Sequence, residues 1–177
     1  MKRICSLLVL FGLTATLSAQ KTAGPVIVVE TDKGVIEIEL NPKMAPKGVE
    51  KILGLVEKNF YRGQRVHRVT PNLVQWGDPG SRNVRNQSSW GSGGSGTRIG
   101  VAEITPGMRH VRGSVGLAYA GEAKFADSQI YIMKNVMPGL DGDYSIIGRV
   151  VSGITVADRL QVADVIKNIT IKGAPAK

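Results

Sequence analysis

Residues 25–40 read PVIVVETDKGVIEIEL, two alternating runs around the turn signal Asp32-Lys33-Gly34. Ile36, Ile38 and Leu40 fall on one face, with Val35, Glu37 and Glu39 on the other, because successive strand side chains point to opposite sides. A period of two bounded by a turn predicts a β-hairpin.

The period then changes. In APKGVEKILGLVEKNFY (45–61), Val49, Ile52, Leu53, Val56 and Phe60 recur at helical spacing, and Pro46 suits a first turn. Two short strands are expected around Thr70-Pro71-Asn72, followed by a Gly-, Ser- and Asn-rich loop at 77–96. Further strands are expected at 99–104, 114–119, 128–134 and 146–151, then a short helix at 153–161 and a closing strand at 165–171. The expected fold is mainly β, a closed eight-stranded antiparallel β-barrel capped by two α-helices. Periodicity alone leaves a sandwich open.

The first residues belong to a different class. MKR is a basic start, ICSLLVLFGLTATL an apolar run and LSAQ a small-residue end, the pattern of a cleaved export signal over 1–19. The run is shorter than the roughly 20 residues of a spanning helix, so no membrane span is expected once it is removed. A short tail at 20–24, one domain over 25–172 and a C-terminal tail at 173–177 complete the organisation. An exported, periplasmic or secreted monomer is the expectation. Cys5, the single cysteine, leaves with the signal, and with it any disulfide or cysteine nucleophile. Lys2 and Arg3 leave too, lowering the +9 formal charge by two. The remaining excess suits anionic surfaces or acidic clients, although solubility alone accounts for it.

Several motifs lead nowhere. GSGGSG (91–96) satisfies G-x-G-x-x-G but neither follows a strand nor opens a helix, so a flexible loop is expected and no nucleotide site. LDGDYS (140–145) lacks the ligands of a calcium loop and reads as a turn. His67 and His110 lack metal-ligand spacing and are expected to be buried, hydrogen-bonded histidines. No G-x-S-x-G elbow is present. Arg82, Arg85, Arg98 and Trp90 hold the parts of a nucleic-acid grip, but export argues against that partner. No metal or cofactor is expected.

One stretch remains unexplained. RVHRVTPNLVQWGDPG (65–80) sets Arg68 and Gln75 among Val and Leu in a half-buried hairpin. Its part HRVTPNLVQWGDPG resembles F-H-R-V-x-P-x-F-x-x-Q-G-G-D, a segment of the cyclophilin-type peptidyl-prolyl isomerases. APKGVEKILGLVEKNFYRG is similar to that family's first helix, and MRHVRGSVGLAYAG to the segment holding Met-Ala-Asn-Ala-Gly. DSQIYI resembles the Gly-Ser-Gln-Phe-Phe-Ile strand, and GLDGDYSIIGRVVSGITVADRL the Leu-Asp-Gly stretch before the last helix. The five motifs keep their order over about residues 25–171.

The resemblance implies a groove that binds Xaa-Pro and rotates its bond between cis and trans. By position, Arg68 matches the catalytic Arg and Gln75 the groove Gln. Ala118, Tyr119 and Ala120 match the edge that bonds the peptide backbone. Gln129 and Tyr131 match the second Gln and the aromatic floor of the proline pocket, Leu140 the pocket Leu, and Tyr144 a His-or-Tyr position. Leu73 shares a strand face with Gln75. The chain departs from the pattern in a turn one residue shorter between Arg68 and Gln75, in Tyr119 for Asn, in Tyr131 for Phe, whose hydroxyl needs a partner, and in Gly139 for an aromatic. A shallower pocket is expected. Proline-containing polypeptides are the implied clients; a groove that binds peptides with little turnover is the alternative.

Overall fold

The computed structural model describes residues 24–174, so the expected export signal and the last residues of the chain lie outside it. Eight antiparallel strands form one curled sheet: β1 (Val26–Thr31), β2 (Gly34–Leu40), β3 (Arg68–Val69), β4 (Leu73–Trp76), β5 (Ser114–Leu117), β6 (Ile130–Met133), β7 (Ile146–Ser152) and β8 (Ile166–Ile171). The strand order is β3-β4-β6-β5-β7-β2-β1-β8. An antiparallel bridge from Arg65 to Val165 brings the two ends of this order together.

The alternation that predicted the first hairpin also fills the core. Ile36, Ile38 and Leu40 are fully buried and join Ile27 and Val29 from β1 and Val74, Trp76, Val115, Leu117, Ile130 and Ile132 from the middle strands. Burying each such side chain stabilises the fold by about 1.5–3 kcal/mol relative to exposure.

Helix α1 (Pro46–Glu57) ends sooner than its apolar pattern suggests. Leu55 takes the buried place expected of Leu53, which is only partly covered, and Asn59 adopts a left-handed φ of 54° that stops the helix before Phe60. Helix α2 (Ile154–Arg159) is likewise shorter than its expected span.

Residues 99–104 are not a strand. Their apolar residues suggest a strand, but Glu103 has another use: its carboxylate accepts from the Lys47 and Gly48 backbone N–H groups at 2.8 and 2.7 Å. It thus satisfies two of the unpaired donors at the start of α1, where the helix's own Ala45 N-cap has no side-chain acceptor. At the other end of the segment, Ile99 N–H bonds the Ala126 carbonyl at 2.8 Å.

Candidate functional site

The ladder registers place one row of side chains across four strands. Arg68 pairs with Gln75, Gln75 with Tyr131, and Tyr131 with Gly116. Directly paired residues share a face of a sheet, and Val74, Trp76, Ile130 and Ile132 take the core-facing alternate positions. The row therefore lies on the outer face of the barrel. Arg68 and Gln75 stand in a sheet without entering its core.

Two loops roof the row and make a cleft of about 410 Å³, lined by all ten residues expected at the site: Arg68, Leu73, Gln75, Ala118, Tyr119, Ala120, Gln129, Tyr131, Leu140 and Tyr144. Gly91–Gly94, Arg98, Phe125, Asp127 and Met137 line it as well and were not anticipated. The sequence marks Arg98 only as one cation of a basic loop, and nothing local marks Met137. Arg98 stacks its guanidinium 4.3 Å from the Phe125 ring centre, and Met137 joins the apolar part of the cleft through a distant turn.

That apolar part is a cluster separate from the core. Leu73, Tyr131 and Met133 are buried, and Ala118, Met137, Leu140 and Tyr144 pack against them. Tyr119 stacks on Tyr144 with centroids 4.5 Å apart, and its hydroxyl donates to the Asp143 carbonyl. The aromatic that replaces Asn is thus folded against the wall. Past a backbone bond from Ala118 N–H to the Gln129 carbonyl (2.9 Å), residues 119 and 120 run along the rim.

The Tyr131 hydroxyl has its partner. It lies 2.8 Å from His110 Nε2, and His110 Nδ1 lies 2.9 Å from Asp141 Oδ1. The Asp141 carboxylate accepts from the His110 backbone N–H (2.7 Å) as well as from the ring. These bonds, the backbone one foremost, hold its pKa below the usual carboxylate value. Burial pushes the Tyr131 phenol far above the ordinary tyrosine range, so it remains an O–H donor. His110 is the buried, hydrogen-bonded histidine that was expected. His67 is not: it packs under Gly91, neither ring nitrogen finds a hydrogen-bond partner among the described residues, and desolvation lowers its pKa.

The polar wall is one connected chain. Gln129 Nε2 donates to the Gly91 and Gly93 carbonyls at 2.8 and 2.7 Å, Gln75 Nε2 donates to Gln129 Oε1 at 2.8 Å, and Arg68 Nη1 reaches Gln75 Oε1 at 3.4 Å. That long contact is the side-chain hydrogen bond of Arg68 among the described residues, and the guanidinium is otherwise exposed at the mouth of the cleft. The glycine-rich loop is pinned rather than free. Buried Asp78 accepts from Gly80, Gly91 and Gly93 N–H groups, and Asp127 accepts from Gly96 N–H. Among the described residues no group of three or more His, Cys, Asp or Glu is placed to hold a metal. No described helix is long and apolar enough to cross a membrane.

The site sets an exposed Arg beside an apolar pocket on the outer face of the barrel, and comparison with known proteins gives the family. The family model "Cyclophilin type peptidyl-prolyl cis-trans isomerase/CLD" matches residues 26–175. A Brucella suis protein named "Probable peptidyl-prolyl cis-trans isomerase" is 34% identical over 165 residues, 91% of this chain and 83% of its own length. A Helicobacter pylori peptidyl-prolyl cis-trans isomerase is 32% identical over 149 residues, 82% of this chain and 86% of its own. The crystal structure of a Cryptosporidium parvum cyclophilin type peptidyl-prolyl cis-trans isomerase superposes with a TM-score of 0.72 at 23% identity, covering 85% of this chain and 99% of that one. That likeness speaks for the fold. The chain belongs to the cyclophilin-type peptidyl-prolyl cis-trans isomerase family and is an enzyme of that activity.

Proposed function

We propose that the chain accelerates rotation of Xaa-Pro bonds in exported polypeptides, with Arg68 as its catalytic residue. Rotation breaks amide resonance at a barrier of about 20 kcal/mol. In the twisted state the prolyl nitrogen turns pyramidal and regains a lone pair. A fixed cation can donate to that lone pair but gains little from the planar ground state, so it binds the transition state selectively. Arg keeps its charge and direction throughout.

One observation carries this reading: the Arg68 guanidinium stands exposed and lightly held at the rim of the apolar cluster of Leu73, Tyr131 and Met133. A prolyl ring seated there presents its nitrogen toward the cation. A charged hydrogen bond supplies about 1.5–3 kcal/mol, whereas a 10⁴-fold acceleration needs about 5.5 kcal/mol. The remainder falls to the rim at Ala118, Tyr119 and Ala120, which grips peptide backbone, and to exclusion of water under Leu140 and Tyr144. Gln75 and Gln129 orient the Arg. Export rests on the sequence of residues 1–19 alone and places the clients in the periplasm or outside the cell.

The test is a protease-coupled isomerisation assay on short Xaa-Pro peptides with chain from residue 20 onward and an Arg68→Ala control. Acceleration largely lost in the control supports the reading. Equal rates for the two proteins remove Arg68 from catalysis. Mass analysis of the protein recovered from the periplasm tests export, with loss of residues 1–19 expected.

A further inference from the structure

The inference concerns a buried histidine that the reaction does not use, and it rests on the reading of the cleft as a prolyl pocket. His110 is 1% exposed and lies behind the pocket. An ionised Asp141 can only accept, so the proton on the His110 ring sits at Nδ1. In the neutral ring Nε2 is then a lone pair, and Tyr131 donates its O–H to it. The three groups form a strut with a fixed direction: phenol to imidazole to carboxylate.

The strut links two elements of the pocket by hydrogen bonds, where the only ring contact between them among the described residues is Tyr144 set edge-on to Tyr131 with centroids 6.2 Å apart. Tyr131 belongs to β6, the floor, while Asp141 follows Leu140 in the turn that also carries Tyr144, the wall. Within this cluster Leu140 and Tyr144 are only partly buried, so little core packing holds the turn down. We propose that His110 is a positioning residue that ties the floor to the wall through Tyr131 and Asp141, and so sets the depth of the pocket for the prolyl ring.

A double-mutant cycle on the full-length chain tests it, with KM and kcat read on an Ala-Pro peptide and Kd by titration. His110→Asn keeps a donor near Nδ1 for Asp141 but falls short of Tyr131. It is expected to raise KM about fivefold with kcat within about twofold, and to change KM less than about twofold in a Tyr131→Phe background. His110→Gln, whose amide reaches the Nε2 position, is expected to recover most of the affinity. Equal effects in both backgrounds, no effect in either, or a fall in kcat at unchanged KM overturns the proposal. Thermal midpoints are measured alongside. If His110→Asn does not fold, His110→Gln and Asp141→Asn carry the cycle, and wild-type KM in Asp141→Asn overturns it. Absence of turnover in the parent chain would refute the isomerase reading instead, and the Kd cycle would still report on the strut.

Discussion

Gly116 and Tyr131 face each other across β5 and β6, and the phenol ring fills the space that a side chain at Gly116 would need. A Cβ there would collide with the hydroxyl end of the ring, the end that reaches His110. The bare backbone of one strand is therefore part of the pocket floor on its neighbour. Gly116→Ala is expected to destabilise the fold by about 1–3 kcal/mol, as overpacking does, and to weaken peptide binding more than it slows bound turnover. Urea unfolding together with a KM and kcat comparison checks both.

Arg68→Lys distinguishes charge from geometry. Lysine keeps the cation but lacks the planar fork that aims it. Its kcat/KM is expected to fall roughly tenfold or more, close to Arg68→Ala, for a lost charged hydrogen bond of about 1.5–3 kcal/mol. The exposed side chain makes one long contact, so thermal stability is expected to stay near wild type in both variants. Near-wild-type turnover in the lysine variant would show that charge alone suffices.

Asp78 is 2% exposed and holds three glycine N–H groups of the loop over the cleft. Asp78→Ala leaves those donors without their acceptor, at a cost of about 1–3 kcal/mol for each one that stays buried. Lower stability is expected with faster amide exchange at Gly91 and Gly93. Activity should fall with it, because Gln129 loses its fixed partners in the same loop.

Asp141 gives a pH dependence with a definite sign. Its pKa is depressed below 3.8 by the His110 backbone N–H first and the ring second. The unfolded chain therefore binds this proton more readily than the folded one. The associated stability is present above 3.8 and is lost as pH falls from there through the folded value. Asp32 and Asp158 are depressed too, so the test is a difference: urea midpoints of wild type minus those of Asp141→Asn should shrink as pH drops through that window. A difference that is flat with pH would remove the carboxylate from the balance.

Much of this was legible because period and register are local. Alternation in 25–40 places Ile36, Ile38 and Leu40 on one face, the face that the core covers, whereas the pairing of Gln75 with Arg68 is seen in the sheet register. Residues 99–104 mislead, since a short apolar run between turn residues looks the same whether it pairs as a strand or sends Glu103 back to cap α1. The ten site residues came from ordered motifs, and they share one cleft. His110 carried no such mark. Its partners Tyr131 and Asp141 lie 21 and 31 residues away, and only the folded sheet brings them together. Likewise GSGGSG reads as a free loop because its anchors, Asp78 and Gln129, lie 13 and 38 residues from Gly91.

The chain of amides from loop to Arg68 runs in one direction only. Gln129 spends its NH2 group on the Gly91 and Gly93 carbonyls, which leaves its oxygen to face Gln75; Gln75 must then turn its own oxygen to Arg68. Turning either glutamine around would set oxygen against oxygen or NH2 against NH2. Two carbonyls at the far side of the cleft thus dictate the polarity of a surface they never touch, and the wall nearest the cation is electron-rich by construction. A carbonyl brought there would meet repulsion from the Gln75 oxygen and attraction from Arg68, so the wall has a built-in direction for any chain laid along it.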